Sequence, residues 1–238
     1  MLPRTLEPEV MDSIGEADEY DAIDHQAVNQ AFAKEFLAVG QCGRDCLDLG
    51  TGTALIPIEI CLCEPDIRIL AMDASKPMLE LARLRLELAS MIDRIQLHYG
   101  NVNQLIFDAS QFDSVISNSL VHHLSQPEAM LAEAWRVLRP NGLLFVRDLC
   151  RPDSDDEVES LVDAHTQGES DLSKQLLRQS LHAALSLDEI RELVSRMGID
   201  PQSIKNTSNR HWTISARKNL SSLRDVQPHL KESFLTVS

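Results

Sequence analysis

The stretch Cys46-Leu47-Asp48-Leu49-Gly50-Thr51-Gly52-Thr53-Ala54 carries the pattern that decides the fold. Its short apolar run predicts a buried strand that ends near an acidic residue. Two glycines with one residue between them follow, and a helical pattern begins directly after them. Glycine adopts positive φ and lets backbone approach a ligand closely, so the pattern predicts a tight turn with ligand-facing amides. Such a turn is common in α/β proteins, and the rest of the chain decides its meaning.

Strand and helix patterns alternate along the middle of the chain with short connections. Amphipathic patterns predict the helices, and Arg139-Pro140-Asn141-Gly142 predicts a turn before the last strand of the series. Apolar runs predict five strands, at residues 45–49, 67–72, 95–99, 112–117 and 143–146. This rhythm is typical of an α/β protein with a doubly wound parallel sheet and helices on both faces.

The remaining segments are expected to extend this unit into a single domain over residues 1–238. The stretch after the fifth strand predicts two short amphipathic helices, which form either a substrate lid over the strand ends or a peripheral extension. Ser186 to Glu189 is a capping box that opens the closing helix. The predicted parts are an acidic arm with a cap helix (residues 1–40), the ligand-binding core with the glycine turn (41–148), the helical insertion (149–185), the closing helix with strands (186–218) and a tail (219–238).

Composition and charge narrow the class of partner. The chain of 238 residues has a formal net charge of −15, which argues against a nucleic-acid partner because such proteins usually carry a basic face. Five cysteines without a Cys-x-x-Cys pair predict reduced thiols, no metal site and a cytoplasmic location. No apolar run approaches the roughly 18 residues of a membrane span.

Polar side chains follow several predicted strands, where open α/β sheets bind their ligands. Asp73 comes about 20 residues after Gly52, which is the spacing of an acid that binds ribose hydroxyls. Its alternative role is a charge at a helix N-terminus. The residues expected at these strand ends are Asp48, Asp73, Asn101, Asn118, His122 and His123.

Two nucleoside cofactors fit this layout, a dinucleotide and S-adenosylmethionine. The dinucleotide fingerprint needs a third glycine, which the residues after Gly52 do not provide. The carboxylate of Asp48 would repel a pyrophosphate but would attract the ammonium group of S-adenosylmethionine. The electrostatics of the turn therefore favour S-adenosylmethionine.

Taken together, the motifs make the chain resemble the class I S-adenosylmethionine-dependent methyltransferases, and the small-molecule branch with quinone and sterol enzymes in particular. The resemblance implies a Rossmann-like sheet of seven strands whose last strand, residues 211–217, is antiparallel. The motifs that carry it are Asp48-Leu-Gly50-Thr-Gly52, Met72-Asp73, Gly100-Asn101-Val102, Ser117 to Leu124 and Leu138 to Gly142.

The resemblance also implies a role for individual residues around the cofactor, whose product is S-adenosylhomocysteine. Gly50, Thr51 and Gly52 would contact the methionine part, and Asp73 the ribose. The remaining contacts are implied for Tyr20 in the N-terminal segment over the cofactor, Ala74 and Met78 beside the adenine, Asn101 and Val102 at its edge, and Asn118 and Ser119 beneath the sulfonium. Asn101 departs from the family, which often has an acid there.

Two histidines are the candidates for acid–base catalysis. Histidine titrates in the useful range, and an oxygen, nitrogen or acidic carbon acceptor needs a base. His123 is the first candidate and His122 the second; alternatively, one of them packs beneath the cofactor. Arg147, Asp148 and Arg178 either face the substrate or form ion pairs.

The sequence thus predicts a methyltransferase that transfers a methyl group in line to a small-molecule acceptor, as a monomer or homodimer. Two alternatives remain, a nicotinamide-dependent oxidoreductase and a non-catalytic S-adenosylmethionine-binding regulator.

Overall fold

In the computed structural model, which describes residues 2–7 and 26–219, seven strands form one sheet in the order β3-β2-β1-β4-β5-β7-β6. The strands β1 to β5 pair in parallel, whereas β7 is antiparallel to both β5 and β6. The predicted seven-stranded sheet with an antiparallel last strand is therefore confirmed. The strands are β1 Asp45–Leu49, β2 Arg68–Asp73, β3 Ile95–Tyr99, β4 Phe112–Asn118, β5 Leu138–Leu149, β6 Ile204–Asn206 and β7 His211–Arg217.

Helices cover both faces of the sheet, and each face has its own apolar core. Neighbouring residues along a strand point to opposite faces, so Leu144 joins the core under α4 and α7, whereas Phe145 joins the core under α1, α2 and α3. The helices are α1 Gln26–Ala38, α2 Leu55–Cys63, α3 Lys76–Leu88, α4 Pro127–Val137, α5 Asp155–His165, α6 Asp171–Ala183 and α7 Leu187–Arg196, with 3-10 turns at Val121–His123 and Pro201–Ser203. None of the helices in the described ranges has the length and apolarity that crossing a membrane requires.

Strand β5 differs most from its sequence-based prediction. The residues 139–142 were expected to form a turn before the strand, but the ladder begins already at Leu138, which pairs with Phe112. Pairing then resumes at Leu143 opposite Ser114, so the turn-forming residues bulge out of a longer strand. The residues 139–142 do leave the ladder, as their turn propensity predicts. Because pairing occurs on both sides of them, they form a bulge within the strand.

The two helices of the insertion pack on each other and on the end of β5. Their contacts form a third apolar cluster, which Leu2 also joins from the N-terminal side. Helix α6 lies against the turn Val121–His123. The insertion thereby borders the edge of the sheet where the strands end.

Residues 2–7, which we call the N-terminal strap, are anchored by long-range hydrogen bonds. Arg4 Nε donates to Ala183 O at 2.6 Å, and its Nη2 donates to Leu124 O at 2.9 Å. Arg151 Nε donates to Leu2 O at 3.0 Å. The strap therefore lies across the insertion and the segment that follows β4. Tyr20, which was expected to cover a cofactor, lies outside the described residues.

Candidate functional site

The glycine turn after β1 is fixed by the neighbouring strand and leaves one open position. The amides of Gly50 and Thr51 both donate to Met72 O at 2.9 Å. Gly50 has φ +73°, and a Cβ there would lie 2.8 Å from Leu120 Cδ1. Gly52 has φ +55°, but a Cβ there would meet nothing within 4 Å. Gly50 thus packs the turn against the protein, while Gly52 faces open space.

The carboxylate of Asp73 reaches across to this turn. Its Oδ2 accepts from the Gly52 amide at 2.8 Å, and its Oδ1 accepts from the Ser75 amide at 2.8 Å. Burial raises the pKa of Asp73, and these amides oppose the shift. An ionised carboxylate has about four acceptor positions. Asp73 therefore braces the turn and still has acceptor capacity for a ligand.

Asp48 is a buried acid near the end of β1, only 3% exposed. Burial raises its pKa to about 7, with the Thr51 hydroxyl opposing the shift and the Asp73 charge adding to it. A carboxylate in this position gains from a nearby positive charge, which would restore its ionised form. The site is accordingly suited to a cationic group.

The residues expected around an adenine line the ends of β2 and β3. Ala74 is exposed, whereas Met78 and Val102 are buried. Asn101 is exposed and its Oδ1 accepts from the Asn103 amide at 2.9 Å. The amide oxygen of Asn101 thus already bonds its own backbone segment and keeps one further acceptor position.

Two polar residues lie at the end of β4, the strand next to β1 in the sheet. Asn118 Nδ2 donates to Ser119 Oγ at 3.2 Å. Ser119 has φ +55°, and its amide donates to Arg147 O at 3.0 Å. The strained backbone of Ser119 is held in place by β5. Whether Asn118 and Ser119 contact a cofactor stays a prediction.

His122 and Asp148 form a buried pair. His122 is 3% exposed and Asp148 is fully buried, and Nδ1 of the imidazole lies 2.5 Å from Oδ1 of the carboxylate. The carboxylate also accepts from the amides of Val121 and Leu149, at 2.5 and 2.6 Å. Burial alone would lower the pKa of His122, but Asp148 outweighs it and leaves that pKa raised. Burial alone would raise the pKa of Asp148, but the charge of His122 outweighs it and leaves that pKa lowered.

His123 is more exposed and is paired with the N-terminal strap. Its Nδ1 lies 2.5 Å from Glu7 Oε2, and Glu7 Oε1 accepts from Ser180 Oγ at 2.6 Å. Burial would raise the pKa of Glu7, but the bond to His123 and its charge lower that pKa to about 2. The rings of His122 and His123 are 4.0 Å apart. The contacts of Glu7 and Ser180 could not be predicted from the sequence, because no local pattern connects these residues with the histidines.

The three substrate candidates do not come together. Arg147 lies on the α1 side of β5, where it bonds Glu35 and its Nε donates to Thr213 Oγ1 at 3.0 Å. Asp148 points to the opposite side, toward His122. Arg178 forms an exposed two-point pair with Glu159 at 2.5 and 2.7 Å. Ion pairing, the second of the two roles predicted for these residues, accounts for the observed contacts.

A cleft of about 500 Å³ lies elsewhere, between α5, the start of α7 and the β6–β7 connection. Cys150, Arg151 and Asp188 line it, and none of the predicted cofactor residues does. The cofactor candidates instead form the open edge at the ends of β1, β2 and β4.

Comparison with known proteins shows which proteins the chain resembles. Residues 47–146 match the family model described as a methyltransferase domain. The chain is 26% identical to 27-O-demethylrifamycin SV methyltransferase of Amycolatopsis mediterranei, over 75% of this chain and 63% of that protein. It is 29% identical to demethylmenaquinone methyltransferase of Symbiobacterium thermophilum, over 60% and 59%. The chain thus spans about three fifths of the length of these two curated relatives.

Solved structures show the same fold. The structure of a SAM-dependent methyltransferase from Aquifex aeolicus superimposes with a TM-score of 0.65 at 16% identity, over 86% of this chain and 98% of that one. A phosphoethanolamine N-methyltransferase of Haemonchus contortus, in complex with S-adenosylhomocysteine, superimposes with a TM-score of 0.56 at 20% identity, over 73% of this chain and 37% of that one.

Proposed function

We propose that the chain is a class I S-adenosylmethionine-dependent methyltransferase, as the match of residues 47–146 to a methyltransferase-domain model supports, and that it transfers the methyl group of S-adenosylmethionine to a small-molecule acceptor. The observation that carries the proposal is the contact of Asp73 with the amide of Gly52, the glycine that faces open space. This contact joins the acid after β2 to the turn after β1 at the edge where the fold binds ligands.

The residues of this edge fit the cofactor. Asp48 offers a buried carboxylate to the ammonium group, and the free acceptor positions of Asp73 suit the two vicinal ribose hydroxyls. Gly52 leaves room for the methionine part, since a side chain there would project into the open space. Ala74, Met78, Asn101 and Val102 would surround the adenine, and Asn118 and Ser119 would lie beneath the sulfonium.

When bound, S-adenosylmethionine supplies an electrophilic methyl group on a sulfonium. The protein's part is to hold the acceptor in line with that methyl group, and such positioning contributes up to ~7–11 kcal/mol in well-oriented reactions. The acceptor forms a bond to the methyl carbon while the bond from that carbon to sulfur breaks. An acceptor that carries a proton must lose it, and His123, followed by His122, is the group we assign to this activation.

The names of the relatives support a small organic acceptor. The two curated relatives act, by their names, on a rifamycin and on a menaquinone precursor, and another, from Dinoroseobacter shibae, is named a ubiquinone biosynthesis O-methyltransferase. We therefore propose an acceptor with an ionisable group. The net charge of −15 also disfavours a nucleic-acid substrate.

The two alternatives are less well supported. A nicotinamide-dependent oxidoreductase would place a pyrophosphate beside Asp48, where two like charges repel. A non-catalytic binding protein would have the same cofactor site but no turnover.

A labelled-methyl screen tests the proposal. The protein is incubated with isotopically labelled S-adenosylmethionine and an extract of small metabolites, and the products are separated by mass. We expect label in one or a few small molecules and none with Asp73→Ala, whereas Glu87→Gln, an exposed residue of α3, transfers normally. Cofactor binding without transfer to any metabolite pool would favour the non-catalytic alternative.

A further inference from the structure

Three potential metal ligands converge where the N-terminal strap meets the turn after β4. Glu7, His122 and His123 each offer one ligand atom, and these atoms lie within 4.8 Å of one another. The histidines come from the turn after β4 and Glu7 from the N-terminal strap, 116 residues earlier than His123. We call these three residues the His–Glu cluster. Because the strap brings a carboxylate to two adjacent imidazoles, the cluster has the donors of a two-histidine, one-carboxylate site.

Each end of the cluster is held by a second layer of hydrogen bonds. Asp148 binds Nδ1 of His122 and is itself fixed by two backbone amides. Ser180 binds the Glu7 oxygen that does not face His123. Metal-binding histidines typically donate their second ring nitrogen to a carboxylate, which fixes the ring and raises its basicity. The Asp148 contact therefore leaves Nε2 of His122 as the ring nitrogen available to a ligand.

The local charges are balanced for a divalent cation. Glu7 and Asp148 bring two negative charges beside two imidazoles, and the Asp73 charge also acts on His123. Arg4 is the nearby positive side chain of the strap, and its guanidinium is occupied by the carbonyls of Ala183, Leu124 and His122. A divalent ion would neutralise the two carboxylates while both imidazoles stay neutral.

We propose that Glu7, His122 and His123 bind one divalent transition-metal ion, with zinc as the preferred metal. Imidazole and carboxylate donors suit zinc and its neighbours, whereas magnesium requires an octahedron of oxygen ligands. Three protein ligands leave a fourth position open, as in catalytic zinc sites. The metal binding stands independently of methyl transfer. Its consequence rests on the proposed function: with the metal bound, His122 and His123 act as ligands and no longer as the base, and the open position would bind an ionisable acceptor atom that releases its proton to solvent.

Metal binding is tested on full-length protein without a histidine tag. Calorimetric titration with zinc and the absorption spectrum with cobalt are measured for the wild type, Glu7→Gln and His123→Ala. We expect one metal per chain and at least a tenfold loss of affinity in each variant. The cobalt spectrum should show nitrogen and oxygen ligands without the charge-transfer absorption of a thiolate. Magnesium should bind far more weakly.

Two controls separate the site from other donors. His165→Ala removes a half-buried histidine at the end of α5, and Cys63→Ser removes the exposed cysteine; both should bind zinc like the wild type. S-adenosylhomocysteine titration checks that Glu7→Gln and His123→Ala are folded, because neither residue is assigned to the cofactor. The proposal is overturned if the wild type binds no stoichiometric metal, if the two variants bind equally well, or if cobalt reports sulfur ligation. Metal binding without S-adenosylhomocysteine binding would instead refute the proposed function alone.

Discussion

At the scale of single residues, the candidate site contains two buried acids whose pKa values shift in opposite directions. Asp48 has a pKa raised to about 7 because it loses water, whereas Asp148 has a lowered pKa because His122 is beside it. A buried charge is stable only with a partner. Asp48 is therefore the group that a cationic ligand would stabilise, and Asp148 is already satisfied within the protein.

Replacing Asp48 by asparagine should change how stability depends on pH. The folded-state pKa of about 7 lies above the unfolded value of about 3.9, so the wild type loses stability as the pH rises between these values. Relative to Asp48→Asn, it should lose about 2–3 kcal/mol between pH 5 and pH 8. Urea unfolding of both proteins at the two pH values measures the difference. Parallel pH profiles would show that Asp48 is not buried as described.

Removing His122 should lower the unfolding free energy far more than removing the adjacent His123. His122→Ala leaves the Asp148 charge buried without its partner and should cost about 3–5 kcal/mol of unfolding free energy. His123→Ala removes a partly exposed pair with Glu7 and should cost about 1 kcal/mol or less. Urea unfolding at pH 7 measures both, and adding Asp148→Asn to His122→Ala should recover part of the loss. Equal losses would contradict the buried pair.

At the scale of elements, local pattern predicted strands well where pairing follows the apolar run. The bounds of β1 and β3, predicted from the local pattern, match the structure, and so do those of β7, which the family resemblance implied. The predicted start of β5 at residue 143 was wrong. The strand begins at Leu138, which pairs with Phe112 on the far side of the turn-forming residues 139–142. The bounds of such a strand depend on pairing partners that are distant in the sequence, which local patterns do not reveal.

The glycine turn offers a matched pair of substitutions. Gly52 and Gly198 both have positive φ, +55° and +74°, and a Cβ at either position would meet nothing within 4 Å. Alanine at either should therefore cost roughly 1–2 kcal/mol of backbone strain. Only Gly52→Ala should also weaken S-adenosylhomocysteine binding, by about tenfold or more, since Gly198 lies after α7. Calorimetry and urea unfolding check the two effects, and equal binding by both variants would contradict the assigned role of Gly52.

At the scale of the whole molecule, the sequence predicted that the polar residues lie at one edge of the sheet, but not that the N-terminal strap joins them. Asp48 lies near the end of β1 and Asp73 ends β2, as the strand pattern predicted, and their role toward a cofactor stays a prediction. The contact of Glu7 with His123 was not predicted, because it is set by how residues 2–7 lie across α6. For Asp148 the sequence left two roles open, facing the substrate or ion pairing, since it does not reveal which side of β5 this residue faces.

Helices cover both faces of the sheet and leave the ends of its strands accessible. Helices α1 to α3 bury one face, and α4 and α7 bury the other, so the strand ends remain the place where polar side chains from distant segments meet. The strap and α6 then border this edge on the side of the histidines. The arrangement leaves the predicted cofactor residues and the His–Glu cluster as neighbours along one edge of the sheet.

Calorimetric titration of S-adenosylhomocysteine into the full chain tests the central claim, that the turn after β1 and the acid after β2 hold this nucleoside. We predict one site with a dissociation constant on the order of a micromolar. Asp73→Ala should bind at least about tenfold more weakly, because it loses charge-assisted hydrogen bonds to the ribose. Glu87→Gln should bind like the wild type. Wild-type protein that gives no binding heat, or that binds NADH instead, would contradict the account, and so would unchanged binding by Asp73→Ala.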